Sequence, residues 1–139
     1  MPTLTRWFIR TALFYFVLAL AVGAAMYSDA LVAKLSVLAV IWPVYLHLLM
    51  VGWITGLIIG VAYWLFPRPN RTRPAPSERL GWASYALLNS GLLLRVVAEP
   101  AAALDRLTPL RWLLPVSGVL QLGAACAFVT LIWPRVKER

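Results

Sequence analysis

Long apolar runs separated by short polar breaks set the plan of this chain. Four runs, near 7–27, 43–66, 80–98 and 112–133, reach the roughly 20 residues that a helix needs to cross a hydrocarbon core of about 30 Å. The second run has a leader, "SDALVAKLSVLAVIW", in which Ser28 or Asp29 caps a helix that runs to Pro43, where a kink or break is expected. The breaks support the count. "PRPNRTRPAPSER" cannot carry a helix through lipid and predicts a solvated, extended loop. "EPAAALDRLTP" predicts a short interfacial turn of helix between two prolines. The expected fold is all-α: one four-helix transmembrane domain over 1–139, with no second domain and no internal repeat.

Composition agrees with lipid as the solvent. Of 139 residues, 62% are hydrophobic and 13% charged, and the mean hydropathy is +0.80. So little charge could not cover so much apolar surface in water. The net charge of +8 would suggest nucleic acid in a soluble protein, but here the basic residues gather at the ends of apolar runs and report topology instead. Arg6 and Arg10, then Arg68, Arg71, Arg73 and Arg79, then Arg135, Lys137 and Arg139 fall on one side of a four-helix plan. The other side carries Lys34, Arg106 and Arg111, offset by Asp29, Glu99 and Asp105. Both termini are therefore expected in the cytoplasm, and the chain in a bacterial inner membrane. On that topology "NRT" at Asn70 is no glycosylation site. The first run is too long for a secretory h-region and is expected to remain as a helix. The single cysteine, Cys126, builds neither a disulfide framework nor a cysteine metal cluster within one chain.

Polar groups inside the runs carry the candidate chemistry, because each is costly in hydrocarbon and needs a partner. They are His47, Asn89, Arg95 and Gln121. Counted from the outer ends, His47 and Arg95 each lie about one turn inside their helices, in one layer. His47 reads either as a neutral imidazole bonded to a backbone carbonyl or water, or as a metal ligand. Arg95 reads either as a snorkelling side chain or as a cation that needs an anion, which Glu99 one turn on or a cofactor carboxylate would supply. Gly81, Ser84, Leu88, Gly91 and Arg95 share a small-residue face suited to close packing. Gly52, Gly56 and Gly60 make two overlapping G-x-x-x-G steps, read as helix-to-helix contact on a face turned away from His47. Ser117 and Gln121, with Asn89, read as interhelical hydrogen-bonding groups.

The stretch "HLLMVGWITGLIIGVAYWLFPR" from His47 places a histidine early in a helix, then glycines, an aromatic pair and a closing proline. It resembles the second helix of haem-copper oxidase subunit I, in the nitric oxide reductase and C-type oxidase branch with its short four-helix relatives. "RLGWASYALLNSGLLLRVVAEP" resembles their following helix. The resemblance spans about residues 40–100. It implies that His47 is an axial ligand of haem b, with an electron-transfer or haem and gas-ligand role; the shared depth of His47 and Arg95 then puts Arg95 near the propionates. The family's second haem ligand and copper-site histidines lie on later helices, so no oxygen-reducing centre is implied. Tyr45 stands where short relatives often carry a further histidine.

Three readings follow. In the first, a haem b protein works as a homodimer or beside a membrane partner that supplies the second ligand, unless Met50 or Met26 does so. In the second, the chain is a cofactor-free structural or assembly subunit. The third, a small transporter, lacks the membrane-embedded carboxylate that proton-driven export requires. A nucleophile with a histidine base, a phosphate loop and a nucleic-acid partner are all unsupported.

Overall fold

The computed structural model describes residues 1–28, 35–66, 78–104 and 109–136; the side chains of 35–39, 104 and 109 fall outside that description. The basic loop at 67–77, with Asp29, Lys34, Asp105, Arg106, Lys137 and Arg139, also lies outside the described residues. Four helical segments are long and apolar enough to span a membrane: Thr3–Met26, Val40–Leu65, Glu78–Ala103 and Leu110–Arg135. The chain is an all-α, four-helix integral membrane protein.

Helix α1 is Thr3–Met26. Pro2 precedes it in extended conformation and accepts from the Arg6 amide, so a residue that cannot donate stands where a donor would be wasted. At the other end the Tyr27 and Ser28 amides reach back to Ala24 and Ala25, and the Ser28 hydroxyl donates to the Ala25 carbonyl at 2.8 Å. The second span is a continuous rod: α2 is Leu35–His47, a π-helix covers Leu48–Thr55, and α3 is Gly56–Leu65. The break expected at Pro43 does not occur. A proline removes the donor that the carbonyl four residues earlier would use, a loss that a membrane helix tolerates. The register slips one turn later, in the π-helix, where the Thr55 hydroxyl donates to the Met50 carbonyl at 2.8 Å.

Helix α4 is Glu78–Leu104 and α5 is Leu113–Ile132, flanked by 3₁₀ turns at Pro109–Trp112 and Trp133–Arg135. Of the interfacial turn expected at "AAALDRL", the residues through Leu104 are instead the end of α4, and 105–107 lie outside the described residues. The helix runs through Pro100, as membrane helices tolerate an interior proline, into three alanines, the best helix formers. Glu99 consequently lies inside a membrane-length helix, contrary to the expectation that no carboxylate falls within the spans.

The core is small and the perimeter large, as lipid-solvated packing requires. Ala12, Ala19 and Ala124 are buried, whereas Phe14, Val17, Val119 and Leu122 are exposed. Two apolar clusters stack along the bundle. One holds Leu4, Phe8, Ile59, Tyr63, Leu88, Ala124 and Leu131; the other holds Tyr15, Ala19, Val44, Leu48 and Leu92. Leu4, Tyr63 and Leu131 converge on Gly81, so the start of α1 and the end of α5 share one end of the bundle. Glycines set the spacing on two faces. Gly52, Gly56 and Gly60 lie against Tyr15, Ala12 and Phe8 of α1, and Gly91 lies against Ser117, Leu120 and Gln121 of α5.

Candidate functional site

At the end of the bundle opposite the termini, the α2–α3 rod, α4 and α5 bring one polar network together. Arg95 Nη1 lies 2.8 Å from His47 Nε2, and Arg95 Nε donates to Ser117 Oγ at 3.2 Å. Ser117 Oγ donates to the Gly91 carbonyl at 2.7 Å, a bond the glycine permits because α5 lies so close there. Gln121 Nε2 also donates to Ser117 Oγ, at 3.2 Å. Glu99, one turn beyond Arg95, places Oε1 at 3.7 Å from Arg95 Nη1 and 3.3 Å from His47 Nδ1.

This geometry fixes the imidazole's tautomer. A guanidinium only donates, so Nε2 must accept and Nδ1 carries the hydrogen of a neutral ring. Nδ1–H then divides its donation between the Pro43 carbonyl at 2.8 Å and Glu99 Oε1 at 3.3 Å. The His47–Glu99 contact is accordingly a hydrogen bond, and the ion pair of the cluster is Arg95 with Glu99. The three side chains are a quarter exposed or less, at 25% for His47, 23% for Arg95 and 13% for Glu99. One acceptor is left over: Glu99 Oε2 is buried without a hydrogen-bond partner.

Asn89 belongs to a second, separate set nearer the bundle's middle. It accepts from the Tyr15 hydroxyl at 2.9 Å and donates to the Tyr85 carbonyl at 2.8 Å, while Tyr85 OH pairs with Thr11 Oγ1 at 2.7 Å. Thr11, Tyr15, Asn89, Gly52 and Gly56 border a cavity of about 10 Å³, the volume of a single water at most. The α4 face read from small residues meets α5 at Ser84, whose Oγ donates to the Ala124 carbonyl at 2.9 Å, and again about two turns on where Gly91 and Arg95 meet Ser117, while Gly81 packs against Leu4 of α1 as well.

A haem iron would need the His47 Nε2 lone pair. The tautomer supplies it, but Arg95 Nη1 occupies it, and the described cavities do not reach His47. Met50 lies one turn along the same rod and cannot stand across a macrocycle from His47, because two residues on one side of a helix approach a ligand from the same side. Met26 ends α1, buried beneath no described bond to the cluster. The donor set as arranged does not fit a six-coordinate haem. Among the described residues, no group of three or more His, Cys, Asp or Glu side chains gathers to hold a metal ion.

Tyr15, Thr11 and Tyr85 were not signalled by the sequence, since a tyrosine or threonine in an apolar helix reads as ordinary filling until its partner on another helix is known. No family model matches the chain, and neither a curated protein nor a solved structure does.

Proposed function

We propose that the chain is a structural or assembly subunit of a membrane complex, seated in a bacterial inner membrane with both termini in the cytoplasm. In this reading the His47–Arg95–Glu99–Ser117 network is a lock between helices rather than a reaction centre. The observation that carries it is that both imidazole nitrogens and two guanidinium nitrogens are spent on groups of the chain's own helices. In lipid such a closed network resists separation, because parting the helices would break the bonds that Arg95 and Glu99 make to Ser117 and His47 and leave those polar groups unmet in a low dielectric.

A second reading, haem b ligation, is favoured by one feature. Nδ1–H bound to a backbone carbonyl is the arrangement that orients ligating histidines and leaves Nε2 free to bind metal. In that reading His47 would hold the iron and Arg95 would neutralise the propionates, with a second chain or partner supplying the other ligand.

One experiment separates the two. The tagged protein is solubilised mildly from haem-replete membranes, and its absorption spectrum and co-purifying proteins are recorded for the wild type, His47→Ala and Arg95→Leu. The structural reading expects no Soret band, co-purification with a larger assembly, and loss of that assembly in Arg95→Leu. A Soret band in the wild type that vanishes in His47→Ala would overturn it in favour of haem.

A further inference from the structure

The end of the bundle that holds the termini contains a cation with no carboxylate partner among the described residues. Arg135 closes the 3₁₀ turn after α5 and is only 7% exposed. Its guanidinium carbon sits 4.9 Å from the centre of the Tyr63 ring, a cation–π contact. Nε and Nη1 are both buried and have no hydrogen-bond partner. No described carboxylate pairs with them. A third orphan lies at the same end of the molecule: Thr5 Oγ1, fully buried and without a partner, follows Leu4, which meets Tyr63 and Leu131 at Gly81.

Burying a guanidinium while leaving its donors empty is costly, and arginine cannot escape by losing its proton. An oxyanion would satisfy it. The depth indicates which kind. Trp7, Trp64, Trp82 and Trp133 are exposed around this end of the bundle, at 52%, 56%, 37% and 78%. Indoles gather at the level of lipid headgroups, where a ring can be apolar on its face and wet at its N–H. Arg135, two residues from Trp133, therefore sits at the depth of the phosphates. At the same end Arg6 and Arg79 stand near the starts of α1 and α4 and outnumber the one described carboxylate there, Glu78, so the local charge favours an anion.

We propose that Arg135 binds the phosphodiester of an anionic phospholipid in the leaflet on the side of the termini, its planar donors on the phosphate oxygens and its face on Tyr63. The phosphate's free oxygens can accept from the guanidinium's unpaired donors, and the Tyr63 ring lies against the group when the lipid is absent.

The test uses full-length protein, delipidated in neutral detergent. The thermal unfolding midpoint and lipids retained in native mass spectrometry are read after adding phosphatidylglycerol, diacylglycerol of the same chains, or inorganic phosphate. The wild type is expected to gain stability and retain lipid with phosphatidylglycerol only. Arg135→Gln should bind it about tenfold more weakly, the loss of one charge-assisted bond, while Arg10→Gln stays close to wild type. Should Arg135→Gln fail to fold, the wild-type comparison among the three additives still decides. Equal responses to phosphatidylglycerol and diacylglycerol would overturn the proposal, as would stabilisation by inorganic phosphate alone, which assigns the site to a free ion.

Discussion

A single methyl group at Gly52 should separate α1 from the α2–α3 rod. A Cβ built there would lie 2.8 Å from Tyr15 Cγ, 2.9 Å from Tyr15 Cβ and 2.9 Å from Leu92 Cδ2. The leucine methyl can rotate away, but Tyr15 Cβ is fixed to the α1 backbone. The ring cannot swing freely either, because its hydroxyl donates to Asn89 Oδ1 at 2.9 Å. Relief requires α1 to shift or the Tyr15–Asn89 bond to break. Overpacking of this kind costs about 1–3 kcal/mol, and the lost interhelical bond adds about 0.6 kcal/mol in a membrane setting. Two glycines grade the effect. At Gly56 the nearest atom is Ala12 Cβ at 3.3 Å, a tight contact that a small displacement accommodates, and at Gly118 nothing lies within 4 Å. Reversible unfolding in mixed micelles should thus rank Gly52→Ala as the most destabilised and Gly56→Ala as intermediate. Gly118→Ala should be unchanged or slightly more stable, since alanine is the better helix former. If Gly52→Ala and Gly118→Ala unfold at the same denaturant concentration, the contact between α1 and the rod is not as close as described.

Ser117→Ala removes the one hydroxyl that accepts from Arg95 and Gln121 and donates to the Gly91 carbonyl, and is expected to lower stability by about 1–3 kcal/mol. Ser90→Ala, which loses only an exposed bond to the Leu87 carbonyl, should show no measurable change in the same micelle titration; equal losses would mean that the network contributes nothing. Placement of nine of the thirteen basic residues in the terminal regions and middle loop predicts that a cysteine introduced at Arg71, in a Cys126→Ser background, is shielded from impermeant maleimide in intact cells and labelled in inverted vesicles. Labelling from outside intact cells would reverse the orientation.

Different parts of this arrangement leave traces of different kinds in the sequence. Membrane-length runs are legible because lipid imposes a one-dimensional requirement, length without charge, that needs no knowledge of neighbours. Four-residue glycine spacing is nearly as direct, since it places three small residues on one face and a partner backbone must fill the space, which α1 does. Helix ends are harder. Pro100 reads as a stop by the rules of water-soluble helices, yet α4 passes through it, and that extension moves Glu99 from a loop into the bundle beside Arg95. Pairings across helices are harder still. The shared depth of His47 and Arg95 follows from counting residues, but that Nε2 accepts from Nη1 depends on the rotation of two helices about their axes, which neither residue's own neighbours determine. The Tyr15–Asn89 bond joins positions 74 residues apart, and nothing local to either one distinguishes it from lipid-facing filling. Arg135 was obscured for the opposite reason: the charge count already used it to explain orientation. A residue that serves topology as one of nine exposed-seeming cations is, in three dimensions, a buried cation against Tyr63 with two empty donors, and only burial separates those roles.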